Sequence, residues 1–345
     1  MGLREEIFEQ PAILRQWLET QFDNAQQIAR AIRRRDIDFV FLAARGTSDH
    51  AGVYAQYLWG SVNRLPVAFA APSLFTLYQG WPRLRHALVV GVSQSGQSPD
   101  VVSVLDEGRR QGALTLAITN DPSSPLAQAA EFTIDVHAGE EKAVAATKTY
   151  TAQLMAIAAL SAAMTEDGDH LVALRRVPDT VEQSLALDGE AQRIAETHRA
   201  LAQCVVLGRG YNYATAQEWA LKLKELAYVF ADPYSVADFQ HGPMAIVERG
   251  FPVLAIAPCG AVLADLLTLL RRLRDEREAQ LFVLSDSDEA IGLGHFALRL
   301  PANVPEWLTP IVSIVPAQLY CYHLTRAKGY DTEAPRIIRK VTLTR

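Results

Sequence analysis

Ser93, Gln94, Ser95 and Ser98 crowd around Gly96, directly after the apolar run Ala87–Val92 and directly before the helix-like stretch "VVSVLDEGRR". Hydroxyl and amide donors beside a helix N-terminus, whose open N–H groups and dipole are positive, form a receptor for an anion such as phosphate. The competing reading is an ordinary strand-to-helix loop that uses serines for turn chemistry. Lys222 and Glu225, in "ALKLKEL", are three residues apart and so share one helix face. A carboxylate there can exchange protons, although a surface ion pair is the commoner fate of such spacing. His241, in "FQHGPMAIV", stands in a polar loop ahead of Gly242 and Pro243, where an imidazole can transfer protons near neutral pH.

These groups need a scaffold, and the chain describes one. "DFVFLAAR", "VAFAAP", "HALVVGVS", "ALTLAITN" and "FTIDVHA" read as strands separated by helical stretches, the order of a doubly wound parallel sheet. Asp100 sits where the cap of the following helix belongs. After a polar, helical connection near 165–200 the plan repeats. "QCVVLGRG" matches "FVFLAARG", "PVLAIAPCG" matches "LVVGVSQSG", and Gly46 and Gly96 recur 164 positions later as Gly210 and Gly260. Two tandem α/β domains are expected, at 35–165 and 166–330, preceded by a helical segment 1–34 and followed by a polar tail 331–345. The second copy has "APCG" where the first has "SQSG", so the anion loop occurs once per chain.

Composition removes several function classes. The 345 residues are 49% hydrophobic with a net charge of −6, which speaks against a nucleic-acid binder. The basic clusters "IRRRD" and "LRRLRDERE" run into acids and read as solvated helix faces. Cys204, Cys259 and Cys321 are far apart without metal-ligand spacing, so no metal is expected, nor is a cofactor, and the sparse count suits a reducing cytoplasm. "MGLREEIFEQ" lacks the regions of a signal peptide, and no apolar run approaches a membrane span. The expectation is a soluble cytoplasmic protein.

"RGTSDHAG", "SQSGQSPD", "EKAVAATKTY", "LGRGYNYATAQEWALKLKEL", "DFQHGP" and "APRIIRKVTLTR" occur in this order. Together they resemble the SIS, or sugar isomerase, domain family from about residue 35 to the end. The chain is similar to the isomerase portion of glucosamine-6-phosphate synthase, and closer still to stand-alone glucosamine-6-phosphate deaminases of the superfamily. The resemblance implies two flavodoxin-like three-layer α/β/α domains with the tail folded over an active site. It implies that Thr47 and Ser48 share a sugar phosphate with Ser93, Gln94, Ser95 and Ser98, and that Val144 and Ala146 lie beside the sugar. It gives Glu225 the proton transfer between C1 and C2, with Lys222 stabilising charge on the intermediate. His241 would open the sugar ring, reaching into the neighbouring subunit of a homodimer. Lys340 matches the tail lysine, whose amine can form a Schiff base with a keto sugar. Lys148 reads as a surface or ion-pairing lysine.

The favoured reaction is deamination of glucosamine 6-phosphate to fructose 6-phosphate and ammonia. Alternatives are ammonia-dependent synthesis of glucosamine 6-phosphate, deglycation of a fructosamine phosphate, and non-catalytic phosphosugar sensing. Two positions depart from the synthase pattern. Arg45 stands where the synthase has cysteine, and Ala146 where it has serine. With no cysteine before Cys204 and about 35 residues ahead of the first strand, a glutaminase domain is not expected, so ammonia would be exchanged free or supplied by another subunit.

Overall fold

Seven consecutive buried residues, Ala87–Ser93, make a strand without inside–outside alternation, the pattern of a parallel sheet covered on both faces. The computed structural model describes residues 2–165, 167–337 and 340. Its first five strands are β1 (Phe39–Ala43), β2 (Val67–Phe69), β3 (Ala87–Ser93), β4 (Leu114–Thr119) and β5 (Phe132–Asp135). They pair in the order β2-β1-β3-β4-β5, every neighbour parallel. Five more follow: β6 (Gln203–Gly208), β7 (Phe230–Ser235), β8 (Pro252–Ile256), β9 (Gln280–Ser285) and β10 (Phe296–Arg299). Their order, β10-β9-β8-β6-β7, is the same topology counted from the first strand of the copy. Both are the flavodoxin-like 2-1-3-4-5 arrangement, in which connections leave the first and third strands toward opposite faces and a crevice opens between them. The tandem doubly wound fold expected from the sequence is the fold observed.

Chain contacts define two compact units. One comprises Glu9–Glu141, Lys148–Arg176 and Lys340 and contains the first sheet; the other comprises residues 2–8, 142–147 and 177–337 and contains the second. In the first unit, helix Pro99–Arg110 buries Val101, Val104, Leu105 and Gly108, the i, i+3, i+4, i+7 stripe of an amphipathic helix. Val101, Val104 and Leu105 join Phe41, Val89 and Leu126 in one core cluster. In the second unit, Leu266, Leu269, Leu270 and Leu273 of helix Leu263–Asp275 pack with Val205, Val253 and Leu281. Helices Gly168–Arg175, Val177–Leu185 and Asp188–Thr197 occupy the region expected to be a helical connection. Among the described residues no helix is long and apolar enough to cross a membrane.

The expected cap at Asp100 is corrected. Ser98 holds the N-cap position, Pro99 opens the helix, and Asp100 is already helical. Proline favours the first helical position because it has no N–H to leave unpaired, and this moves the boundary two residues back.

One histidine is built into the second core. His198 Nδ1 lies 2.8 Å from the Tyr320 hydroxyl, and its ring stands edge-on to Phe296 at 4.4 Å between centroids. Burial pushes its imidazole down to about 4. The unfolded chain would take up this proton near pH 6.5, so between about 6.5 and 4 the unfolded state binds more protons than the native state. Stability is therefore present above pH 6.5 and falls as pH drops toward 4, by up to about 3 kcal/mol for this group. Denaturant titrations of the native protein and of His198→Asn across pH 4.5–7 should show a shallower acid slope in the variant.

Candidate active site

The two hydroxyl-bearing loops leave adjacent strands. Ala43, the last residue of β1, is paired with Gly91 of β3, so the segments after Ala43 and after Ser93 emerge side by side at the crevice. Each runs into a helix N-terminus, Thr47–Ser61 or Pro99–Arg110. Gly46 and Gly96 turn the chain with φ of +55° and +62°, values that side chains other than glycine resist. At Gly96 a Cβ would also collide with the Ser124 side chain.

Hydrogen bonds inside the loops give the hydroxyls a common polarity. Ser93 Oγ accepts the Gly96 N–H at 3.1 Å, and Ser95 Oγ accepts the Gln97 N–H at 3.3 Å. Ser48, buried, accepts from Gln153 Nε2 at 2.9 Å. An oxygen that accepts on one side keeps its own hydrogen to donate, which is the polarity an anion requires. The Gln94 carbonyl is pinned by the Asn120 N–H at 3.1 Å and the Thr119 hydroxyl at 3.3 Å. Ser98 makes no side-chain capping bond although it occupies the N-cap position. Thr47 is half-buried at the start of its helix.

Lys222 and Glu225, the acid–base candidates, lie in the other unit, on helix Tyr213–Leu226. The sequence left a surface ion pair open as the reading of Lys222 and Glu225; the structure corrects it. Lys222 is 1% exposed, because its helix face turns inward with Trp219 and Leu223. Its Nζ donates to Glu225 Oε2 at 2.6 Å and lies 3.4 Å from Glu218 Oε1. Burial alone would push this ammonium down, but Glu218 and Glu225 outweigh it and hold the group above its ordinary range. Lys222 is thus a fixed cation that orients Glu225, whose side chain is 24% exposed. His241 is exposed immediately after the short helix Val236–Gln240, and its N–H donates to the Asp238 carbonyl at 3.1 Å.

Val144 and Ala146 belong to a strip, Lys142–Thr147, grouped with the Glu225 unit. Glu6, fully buried, accepts the Lys142 N–H at 2.5 Å and the Ala143 N–H at 3.3 Å, while Gln318 Nε2 reaches the Thr147 carbonyl at 3.4 Å. Ala143 and Ala145 are buried, and Val144 and Ala146 are half-buried. Lys148 is ion-paired as expected but is not on the surface. It is 3% exposed, with Nζ 2.7 Å from Glu9 Oε2.

Lys340 is grouped with the unit that carries the β1 and β3 loops. Its Nζ donates to Glu141 Oε2 at 2.7 Å, and the buried Glu141 accepts the Thr149 N–H on Oε1 at 3.2 Å. Of the tail expected over the site, residues 338–339 and 341–345 lie outside the described residues. Glu218, Glu141, Glu6 and Gln153 were not found by sequence reasoning. Only Glu218 left a trace, as the i−4 neighbour of Lys222.

The second copy of the loop shows a different use of the same backbone. After β8, the Cys259 N–H donates to Asp286 Oδ1 and the Ala261 N–H to Glu306 Oε2, each at 2.7 Å. The Cys259 thiol is pushed up by burial and by Asp286, so it is not an activated nucleophile.

Two parallel 2-1-3-4-5 sheets in tandem, with hydroxyl-bearing loops at the switch point of the first, define a duplicated doubly wound α/β architecture. The SIS domain profile matches residues 35–163 and again 201–327, and the chain belongs to that family. It is 32% identical over 337 residues to the glutamine–fructose-6-phosphate aminotransferase of Aquifex aeolicus, covering 97% of this chain and 56% of that protein. The chain thus spans little more than half the length of the curated relatives it matches. Among solved structures, a chain from Silicibacter pomeroyi described as a phosphosugar isomerase superposes with a TM-score of 0.87 at 36% identity, covering 96% of this chain and 100% of that one. The C-terminal domain of the glucosamine–fructose-6-phosphate aminotransferase of Francisella tularensis gives the same score at 28% identity, covering 96% and 98%.

The buried cluster on helix Tyr213–Leu226 yields a stability test. Lys222→Met removes the ammonium that the fully buried Glu218 shares with Glu225, and should destabilise by about 3–5 kcal/mol in denaturant unfolding. Lys222→Met combined with Glu218→Gln should recover most of that loss.

Proposed function

We propose that this chain is an aminosugar-phosphate isomerase and deaminase that converts glucosamine 6-phosphate to fructose 6-phosphate and ammonia. The observation that carries the reading is one chain's possession of both a hydroxyl-lined anion cradle at a switch point and a carboxylate held by a buried cation. The phosphate binds among Thr47, Ser48, Ser93, Gln94, Ser95 and Ser98, whose donors and helix N-termini match its charge. His241, exposed and polar in setting, opens the sugar ring, serving the site of a second copy in a homodimer.

Glu225 then removes the C2 proton and returns it to C1. The aldehyde carbon is reduced as its oxygen takes up a proton, and the amine-bearing carbon is oxidised to an imine as its nitrogen gives one up, so no external oxidant and no net proton is consumed. Lys222 fixes the orientation of the carboxylate during this transfer. Lys340 attacks the C2 imine and expels ammonia, and water releases fructose 6-phosphate from the resulting lysine adduct. Glu141, 2.7 Å from the Lys340 nitrogen, is placed to take the proton that frees this amine. Val144 and Ala146 offer a small-residue wall beside the sugar.

A second reading, ammonia-dependent synthesis of glucosamine 6-phosphate, uses the same steps in reverse. It is supported by the likeness to proteins named glutamine–fructose-6-phosphate aminotransferase. A pure sensor is less well supported, because it needs the cradle alone and gains nothing from a buried ammonium held between two carboxylates on one helix face.

The test is incubation with a panel of 6-phosphorylated aldoses, ketoses and amino sugars while ammonia and ketose are followed together. Glucosamine 6-phosphate should release both in equal amounts. Glu225→Gln should lower kcat by about 10²–10⁴-fold with little change in binding. A protein that binds these sugars and turns over none of them would favour the sensor.

A further inference from the structure

Arg45 lies where the chain leaves β1, and it reaches across to the helix that follows the second loop. Its Nε donates to Asp100 Oδ2 at 2.9 Å, and its Nη2 lies at the same distance from that oxygen. The other carboxylate oxygen accepts the Val101 N–H at 2.9 Å. Asp100 is 1% exposed, whereas the Arg45 side chain is 51% exposed. A carboxylate removed from water keeps its charge only beside a counter-charge, so this pair resists separation. Arg45 is two residues before Thr47, and Asp100 two residues after Ser98. The pair is therefore a strut between the two hydroxyl clusters.

The strut recurs in the other unit. Arg209 precedes Gly210 as Arg45 precedes Gly46, both glycines have positive φ, and Arg209 Nη2 lies 3.0 Å from Asp265 Oδ2. There the acid is 60% exposed. The adjoining loop already serves Asp286 and Glu306 of the same chain. The acid of the pair is thus open to solvent where internal carboxylates fill the loop, and buried where the hydroxyl clusters stand.

We infer that Arg45 and Asp100 are positioning residues for the phosphate group, setting the separation of the two hydroxyl clusters and acting on binding, not on proton transfer. This rests on the phosphosugar reading above. An anion between two loops gains from both sets of donors only when both are within hydrogen-bond reach at once. A small shift of either loop therefore weakens binding and leaves the Lys222–Glu225 pair unchanged.

The test measures fructose 6-phosphate binding calorimetrically to the full chain and to Arg45→Met, Asp100→Asn, the double variant and Arg209→Met. Either single change removes the same strut, so both singles and the double should raise Kd by a similar factor of about ten or more. Arg45→Lys should retain part of the affinity, KM should rise with kcat within about twofold, and Arg209→Met should bind like the native chain. Arg45→Met strands a buried carboxylate and can fail to fold; the double variant removes both charges and then carries the test. Native affinity in a folded double variant, or equal weakening by Arg209→Met, overturns the inference. A Ser48→Ala/Ser95→Ala variant separates the two levels. Native affinity there overturns the phosphate-loop reading and the strut together, while lost affinity there beside an unaffected strut variant overturns the strut alone.

Discussion

The end of β1 and the end of β3 are hydrogen-bonded neighbours, and the helices that follow them start from the same crevice. Everything proposed for the site depends on that adjacency. Parallel pairing of Ala43 with Gly91 places two helix N-termini together, each with open N–H groups and the positive end of its dipole. Open N–H groups at two helix starts favour an anion there without any lysine. Serine and threonine then suffice to line it, because they add donors without the bulk that would keep a phosphate from the backbone. The turn that delivers the second helix needs glycine at residue 96, where both the positive φ and the nearby Ser124 exclude a side chain.

The duplicated unit shows that topology is not enough. It has the same strand order and the same arginine–aspartate pair at the same turn, yet its equivalent N–H groups donate to Asp286 and Glu306. One unit presents hydroxyls that donate, and the other satisfies its loop with carboxylates of its own. The second unit carries a cluster of ionisable groups instead. Glu218, Lys222 and Glu225 follow the i, i+4, i+7 spacing of one helix face, and two carboxylates around one buried ammonium keep that ammonium charged.

Much of this was legible in the sequence because it is local. β3 announced itself as an unbroken apolar run, the loop as hydroxyls around a glycine, and the repeat as matched glycines in matched strand contexts. The misreadings were equally local. Asp100 looked like a cap because acidic caps are common, but Pro99 fixes the helix start earlier. Lys222 and Lys148 resembled surface lysines, since no local pattern distinguishes a solvated lysine from one buried against a carboxylate. What decided them were partners such as Glu9, and the inward turn of a helix face. Arg45 with Asp100, Ser48 with Gln153, and Glu141 with Lys340 join residues far apart in the chain, and only the folded arrangement reveals them.

The central claim is that the phosphate group is held by the β1 and β3 loops of the first sheet and not by their counterparts in the second. The direct measurement is a crystal structure of the protein soaked with fructose 6-phosphate. Phosphate density is expected at the N-termini of helices Thr47–Ser61 and Pro99–Arg110, within hydrogen-bond distance of Ser48, Ser95 and Ser98. Phosphate bound instead at the Cys259–Val262 loop, with Glu306 displaced, would contradict it.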